Sequence, residues 1–212
     1  MRLLLIVLLF ILATESKAQT SFGIKSGINI SNQLRPYVYM YNDNPWYDRG
    51  QSIVCMNGAF FTQFVLLDKV SIRLQVGYTG LGYKVPEAYD ALGVLISPAR
   101  KFRLNYFSLP LQVIYQVKSG FGKIWIGAGP YAAYLFSGTI HTGSARQAIV
   151  VGNSATNEFK PLDLGLSPTV SLKLNNGFLV GVDYNMGLSD VSEAAGNNQN
   201  RSWSVYVGYV FK

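Results

Sequence analysis

The chain has 212 residues, a formal charge of +7 and one cysteine; only 14% of its residues are charged, 14% are aromatic and 21 are glycine. Soluble domains carry about 25% charged residues, so the composition argues against an ordinary soluble domain, and a lone cysteine excludes an internal disulfide. The basic residues are scattered, with no run longer than Arg100-Lys101-x-Arg103, which favours attraction to anionic lipid head groups over a nucleic-acid partner.

The first element is a targeting segment. Arg2 supplies a short positive start, Leu3 to Ala13 an apolar run, and Ser16-Lys17-Ala18 a small-x-small site. This predicts a signal peptide over residues 1–18, cleaved after Ala18, and a mature domain over 19–212. Its loss removes Arg2, Lys17 and Glu15, so basic residues fall from 18 to 16, acidic ones from 11 to 10, and the net charge becomes +6. Cys55 is far from the cleavage site, so it cannot carry a lipoprotein anchor. No later stretch reaches the roughly 18 consecutive apolar residues of a membrane helix.

Strands follow, marked by side chains that alternate with period two. Over 22–30, Phe22, Ile24, Ile28 and Ile30 alternate with Gly23, Lys25, Gly27 and Asn29. The loop 31–52 comes next and collects Tyr37, Tyr39, Tyr41, Trp46 and Tyr47 with Arg35 and Arg49. Residues 53–66 are apolar on both faces, and their inward side is left open. After the turn Leu67-Asp68-Lys69, Val70, Ile72, Leu74, Val76 and Tyr78 alternate with Ser71, Arg73, Gln75, Gly77 and Thr79. A long loop covers 84–101. Over 103–117, Phe107, Leu109, Leu111, Val113 and Tyr115 share one face, and Ser108, Gln112 and Gln116 the other.

The turn Lys118-Ser119-Gly120 leads to an aromatic, glycine-rich strand over 123–136, and then to a long loop over 137–161. Over 162–174, Leu162, Leu164, Leu166, Val170 and Leu172 alternate with Asp163, Gly165, Ser167, Thr169 and Lys173. Asn175-Asn176-Gly177 is a hairpin signal. Phe178, Val180, Val182, Tyr184 and Met186 then alternate with Gly181, Asp183, Asn185 and Gly187. A last loop, 188–202, precedes Trp203, Val205, Val207, Tyr209 and Phe211, which alternate with Ser204, Tyr206 and Gly208.

Short turns alternating with long polar loops are the pattern of bacterial outer-membrane barrels. The predicted fold is all-β: an eight-stranded antiparallel up-and-down transmembrane β-barrel with short periplasmic turns and long extracellular loops. A soluble sandwich or lipocalin-like barrel is the rival, but it would turn its wide apolar stripe inward. Tyr78, Tyr83, Tyr115, Trp125, Tyr134 and Trp203, near strand ends, read as interface girdles.

Four stretches also resemble a family. Leu104-Asn105-Tyr106-Phe107-Ser108-Leu109-Pro110-Leu111 is similar to its L-N-Y-x-x-x-P-L strand, and Gly127-Ala128-Gly129-Pro130-Tyr131 to its A-G-P strand. Tyr184-Asn185-Met186-Gly187-Leu188 resembles its Y-N-x-G-L strand end, and Phe22 to Asn29 its opening strand. Together, in this order across the mature chain, they resemble the PorT-like, "porin family" outer-membrane β-barrels. The resemblance implies an eight-stranded barrel of the OmpA/OmpX kind and, for most members, no established activity; PorT itself is associated with protein secretion. Such barrels usually end on an aromatic residue, whereas here Lys212 follows Phe211.

The inward set read from the alternation is Lys25, Arg73, Gln75, Gln112, Asp163, Lys173 and Asp183. Side chains fill an eight-stranded barrel, and buried charges need partners, so the set reads as a polar network plugging the lumen. A selective ion path is the sharper reading of the same residues. His141, Ser144 and Asp190 sit on loops without strand-fixed geometry and do not make a catalytic triad. Gly127-x-Gly129 precedes no helix and so is no nucleotide loop; it reads as relief of crowding among aromatic side chains.

Tyr39, Trp46 and Tyr47 are the candidate recognition residues, being of the types that dominate binding hot spots. The expected function is therefore a non-enzymatic outer-membrane barrel for surface interaction, envelope integrity or a secretion-accessory role. The alternative is a narrow channel for ions or small solutes. No catalytic, cofactor or metal site is expected. The expected partners are outer-membrane lipids and envelope or secretion proteins.

Overall fold

A computed structural model of the chain describes residues 20–34, 38–41, 44–47, 50–90, 92–152, 159–192 and 198–211. The targeting segment, Arg35, Tyr37, Arg49 and Lys212 lie outside these residues. The strands in chain order are β1 (Thr20–Leu34), β2 (Val38–Tyr41), β3 (Asn44–Tyr47), β4 (Gln51–Leu67), β5 (Val70–Val85), β6 (Ala88–Tyr89), β7 (Leu95–Ser97) and β8 (Arg100–Ser119). They continue as β9 (Gly122–Ala128), β10 (Pro130–Thr142), β11 (Ala145–Ala148), β12 (Leu162–Leu166), β13 (Thr169–Leu174), β14 (Phe178–Gly187) and β15 (Gln199–Phe211).

The wall is a closed antiparallel ring. β1 pairs with β4, β4 with β5, and β5 with β8; β8 meets β9 and β10, which meet β13 and β12; these meet β14, then β15, which returns to β1 from Phe22↔Phe211 to Leu34↔Gln199. Because β9 and β10 form one wall strand, and β12 and β13 another, the ring has eight strands. Closure leaves no sheet edge, the condition for a sheet to stand in lipid.

The strand read over 162–174 is thus two pieces. Pro168 has no N–H for the ladder, and the wall is held there by Ser167 N–H donating to Gly129 O at 2.8 Å. The break in the facing strand falls at Gly129, just before Pro130. A side chain on Gly129 would collide with the Leu111 carbonyl of β8. Its role is close approach of the neighbouring backbone rather than relief among aromatic rings.

The alternation holds around the ring. Ile24, Ile28, Phe60, Phe107, Leu109, Leu111, Val113, Val205 and Val207 are exposed on the outer surface, whereas Arg73, Gln75, Gln112 and Asp163 are buried inside. An apolar band this continuous on the outside of a closed wall is suited to lipid and not to water. For β4 the structure decides the side that the sequence left open: Ile53, Phe61 and Gln63 face inward, and Val54, Met56, Phe60 and Phe64 face out.

Two aromatic residues leave the expected girdle. Tyr83 and Trp125 fall on the inward parity and are buried, where Tyr83 stacks on Phe102 at 4.5 Å. Tyr78, Tyr115, Tyr134 and Trp203 stay outside and exposed.

The turns are short at one end, with Gly177 at φ 95° in the left-handed region that glycine tolerates. At the other end the strands outrun the roughly 9–11 residues that a tilted membrane strand needs, and β8 reaches 20 residues. The long connections carry hairpins of their own, β2–β3 and β6–β7, and β11 folds back on β10.

Candidate functional site: the lumen and its outer mouth

The inward side chains lie in three bands. Nearest the short turns, Phe61, Ile114, Trp125, Leu179, Tyr206 and Val210 form an apolar cluster. The Arg73 guanidinium lies between two of its rings, 5.0 Å from Phe61 and 4.7 Å from Trp125. Its Nε and Nη2 both donate to Gln63 Oε1, at 3.1 and 3.0 Å. Trp125 Nε1 donates to Gln116 Oε1 at 3.2 Å, and Gln116 Nε2 to Ser71 Oγ.

The middle band is polar. Lys25 Nζ meets Asp183 Oδ2 at 2.5 Å and stands 4.3 Å from the centroid of the Tyr206 ring. Gln75 Nε2 donates to Gln112 Oε1 at 2.6 Å, Gln112 Nε2 to Ser167 O at 2.9 Å, and Ser167 Oγ to Asn185 Oδ1 at 2.8 Å. A cavity of ≈ 40 Å³ lies here, lined by Lys25, Gln75, Tyr131, Ser167 and Asp183 among others. A single water needs on the order of 10–15 Å³ by this measure, so the void has room for only a few waters.

Above it, Asp163 Oδ2 accepts from Tyr131 OH at 3.2 Å and Asn200 Nδ2 at 2.9 Å, while Asp163 Oδ1 accepts from Ser189 Oγ at 3.2 Å. The mouth is then closed by a second apolar cluster, including Leu81, Phe102, Leu104, Tyr106 and Leu135. Ile149 and Phe159, from the connection after β11, pack into it. Phe159 bridges Val151 and Ser192, which ties two outer connections together over the lumen. Lys160 Nζ reaches Asp190 Oδ2 at 3.0 Å on the same side. Burial pushes the Asp190 carboxyl up, but the Lys160 hydrogen bond and the N–H groups of Asn198 and Ser192 outweigh it and hold it below its ordinary value.

Of the inward residues named from sequence, Lys25 and Asp183 are brought together, as are Gln75 and Gln112. Arg73 and Asp163 sit in separate bands. Lys173 has inward parity, being paired with Leu179 and Lys123, but is only half-buried at the turn-side rim. The β2–β3 hairpin sets Tyr39 opposite Trp46 and Val38 opposite Tyr47. The His141 ring meets Thr139 Oγ1 at 3.3 Å rather than Ser144, and Asp190 is engaged by Lys160.

The sequence reading missed the apolar inward residues Phe61, Ile114, Leu179 and Val210. It also missed Phe159 and Ile149, apolar residues of the long connection over 137–161. Two of the four stretches that carry the family resemblance meet in space, since Tyr131 lies opposite Pro110 in the wall.

A family model described as outer membrane protein beta-barrel domain matches residues 15–193. The chain belongs to that family. This outer-membrane barrel therefore resides in the outer membrane of a Gram-negative envelope, with its apolar band against lipid. No curated protein sequence matches it. Among solved structures, OprG from Pseudomonas aeruginosa is similar at 13% identity and a TM-score of 0.49, covering 92% of this chain and 97% of that one. Neisserial surface protein A shows 15% identity and a TM-score of 0.48, covering 91% and 99%. Ail of Yersinia pestis shows 10% identity and a TM-score of 0.44, covering 90% and 98%.

Proposed function

We propose that this barrel is a non-enzymatic, non-conducting outer-membrane protein that acts through its outer face, in surface interaction, envelope integrity or an accessory role in secretion. The observation that carries this reading is the filled lumen: apolar cluster, polar band and apolar cluster follow one another along its length. With its interior occupied by its own side chains, the barrel has only its loops and outer wall to offer a partner. The long connections, including the one holding Tyr39, Trp46 and Tyr47, then face the outside, and the turns at Asp68, Ser119 and Asn176 face the periplasm. The PorT-like resemblance makes secretion the first accessory role to examine.

Liposome swelling tests the reading. Proteoliposomes of the folded barrel are expected to swell in small sugars no faster than protein-free vesicles. Rapid swelling would promote the narrow channel instead.

A further inference from the structure

Three basic side chains and a histidine stand in register on one outer wall. Lys84 of β5 lies opposite Lys101 of β8, Lys101 opposite His141 of β10, and His141 opposite Arg146 of β11. Directly opposed residues of antiparallel strands project from one face. That face is the outside, because the alternate residues Phe102 and Leu104 of β8 are buried in the mouth cluster. Arg103 shares the face two positions away, opposite Gly82 and Thr139. Lys84, Arg103 and Arg146 are exposed and Lys101 is half-buried.

Among the described residues, the charges of Lys84, Lys101, Arg103 and Arg146 go unneutralised. Like charges directly opposed across strands destabilise a sheet, yet no carboxylate among the described residues pairs with any of these side chains; the ion pairs among those residues are Lys25–Asp183 and Lys160–Asp190. Glu87, three positions beyond Lys84, accepts from Tyr89 OH instead. On the opposite wall the Arg201 guanidinium is taken up by Gly187 O, Asn200 O and Gln199 Oε1.

The height of the row fits a head group. Tyr78, Phe107 and Tyr134 are register partners on the same wall, all exposed, and form an aromatic belt of the kind that marks a membrane interface. Arg103 and Lys101 lie further along β8, about 14 and 20 Å from Phe107 along the strand at roughly 3.4 Å per residue, which a tilt of about 45° turns into about 10 and 14 Å of height. They stand beyond the belt, among head groups rather than acyl chains.

We propose that the wall formed by β5, β8, β10 and β11 binds the phosphate groups of a phosphorylated glycolipid in the outer leaflet. Arg103 and Arg146 supply planar forks for phosphate oxygens, and Lys84 and Lys101 supply point charges. The idea rests on the long connections facing outward. That orientation is tested separately by labelling cells, so the two can fail independently.

The test uses the mature barrel in detergent micelles, its folding checked by heat-dependent gel mobility, with fluorescent lipid A in phosphorylated and dephosphorylated forms. The wild type is expected to prefer the phosphorylated form. Combining Lys84→Gln, Lys101→Gln, Arg103→Gln and Arg146→Gln should erase that preference, at about fivefold per charge removed. Should this variant not fold, the Lys84→Gln/Lys101→Gln pair carries the test, with a fall of about twenty-fivefold expected. Lys118→Gln/Lys123→Gln, at the turn end, should keep the preference. Equal binding of both lipid forms by the wild type, an undiminished preference in the outer-wall variant, or equal loss in the turn-end variant would overturn the assignment. So would displacement of the lipid by inorganic phosphate at matched concentration, which would mark a free-anion site.

Discussion

Lys25 Nζ and Asp183 Oδ2 meet at 2.5 Å inside the lumen, although 158 positions separate the two residues in the chain. Both are buried by the ring of strands around them, so each charge depends on the other. Lys25→Met alone strands a buried carboxylate and is expected to destabilise the barrel by about 3–5 kcal/mol. Lys25→Met with Asp183→Leu should recover most of that loss. Urea unfolding in lipid vesicles, followed by tryptophan fluorescence, checks both, and a double variant as weak as the single would contradict the pairing.

Leu111 and Gln112 are neighbours on opposite faces, one exposed to lipid and the other buried in the lumen. Leu111→Arg places a charge on the lipid face and is expected to cost about 2–4 kcal/mol near the bilayer midplane. In a water-exposed wall the same change would fall within roughly 0.5 kcal/mol. Reversible folding into vesicles of defined thickness separates the two values.

The Asp190 carboxylate is held below its ordinary value against a burial penalty, by Lys160 at 3.0 Å and by the amides of Asn198 and Ser192. A carboxylate lowered in the folded state contributes stability that is complete above its unfolded pKa and lost as pH falls through the folded one. The outer clamp should therefore persist through the ordinary carboxylate range, about pH 4, and release only below it. Hydrogen exchange at the Asn198 amide reads this directly, and Asp190→Asn should remove the pH dependence.

Leu92, at the tip of the β6–β7 connection, is 89% exposed, whereas Ser119 ends β8 beside a short turn. Single cysteines at these positions, in a Cys55→Ala background, should label differently on intact cells with an impermeant thiol reagent. Labelling is expected at position 92 and not at 119; the reverse would invert the orientation. The same preparation is expected to fractionate with the outer membrane and to yield Gln19 as its first residue.

Most of the wall was legible from period-two alternation, because a single residue of slip would turn every lipid-facing side chain inward. Phe22, Ile24 and Ile28 outside, and Arg73 and Gln75 inside, follow from parity alone. What failed was the assumption that inward means polar. Leu179 and Val210 are inward and apolar because the lumen near the turns is packed like a core, and parity does not reveal which inward neighbours meet. Register was equally hidden. Lys25 finds Asp183, and Lys84 faces Lys101, only through the stagger of the closed ring. The fold of the outer connections over the mouth depends on Phe159 leaving its polar surroundings, a long-range contact no local pattern encodes.

Planar-bilayer recording of the purified, folded barrel bears most directly on the filled lumen. Side chains occupying every band predict a membrane that shows no stable open level beyond that of protein-free lipid. A large, long-lived conductance step at low voltage would contradict this, and would make the Lys25–Asp183 band part of an ion path instead of a seal.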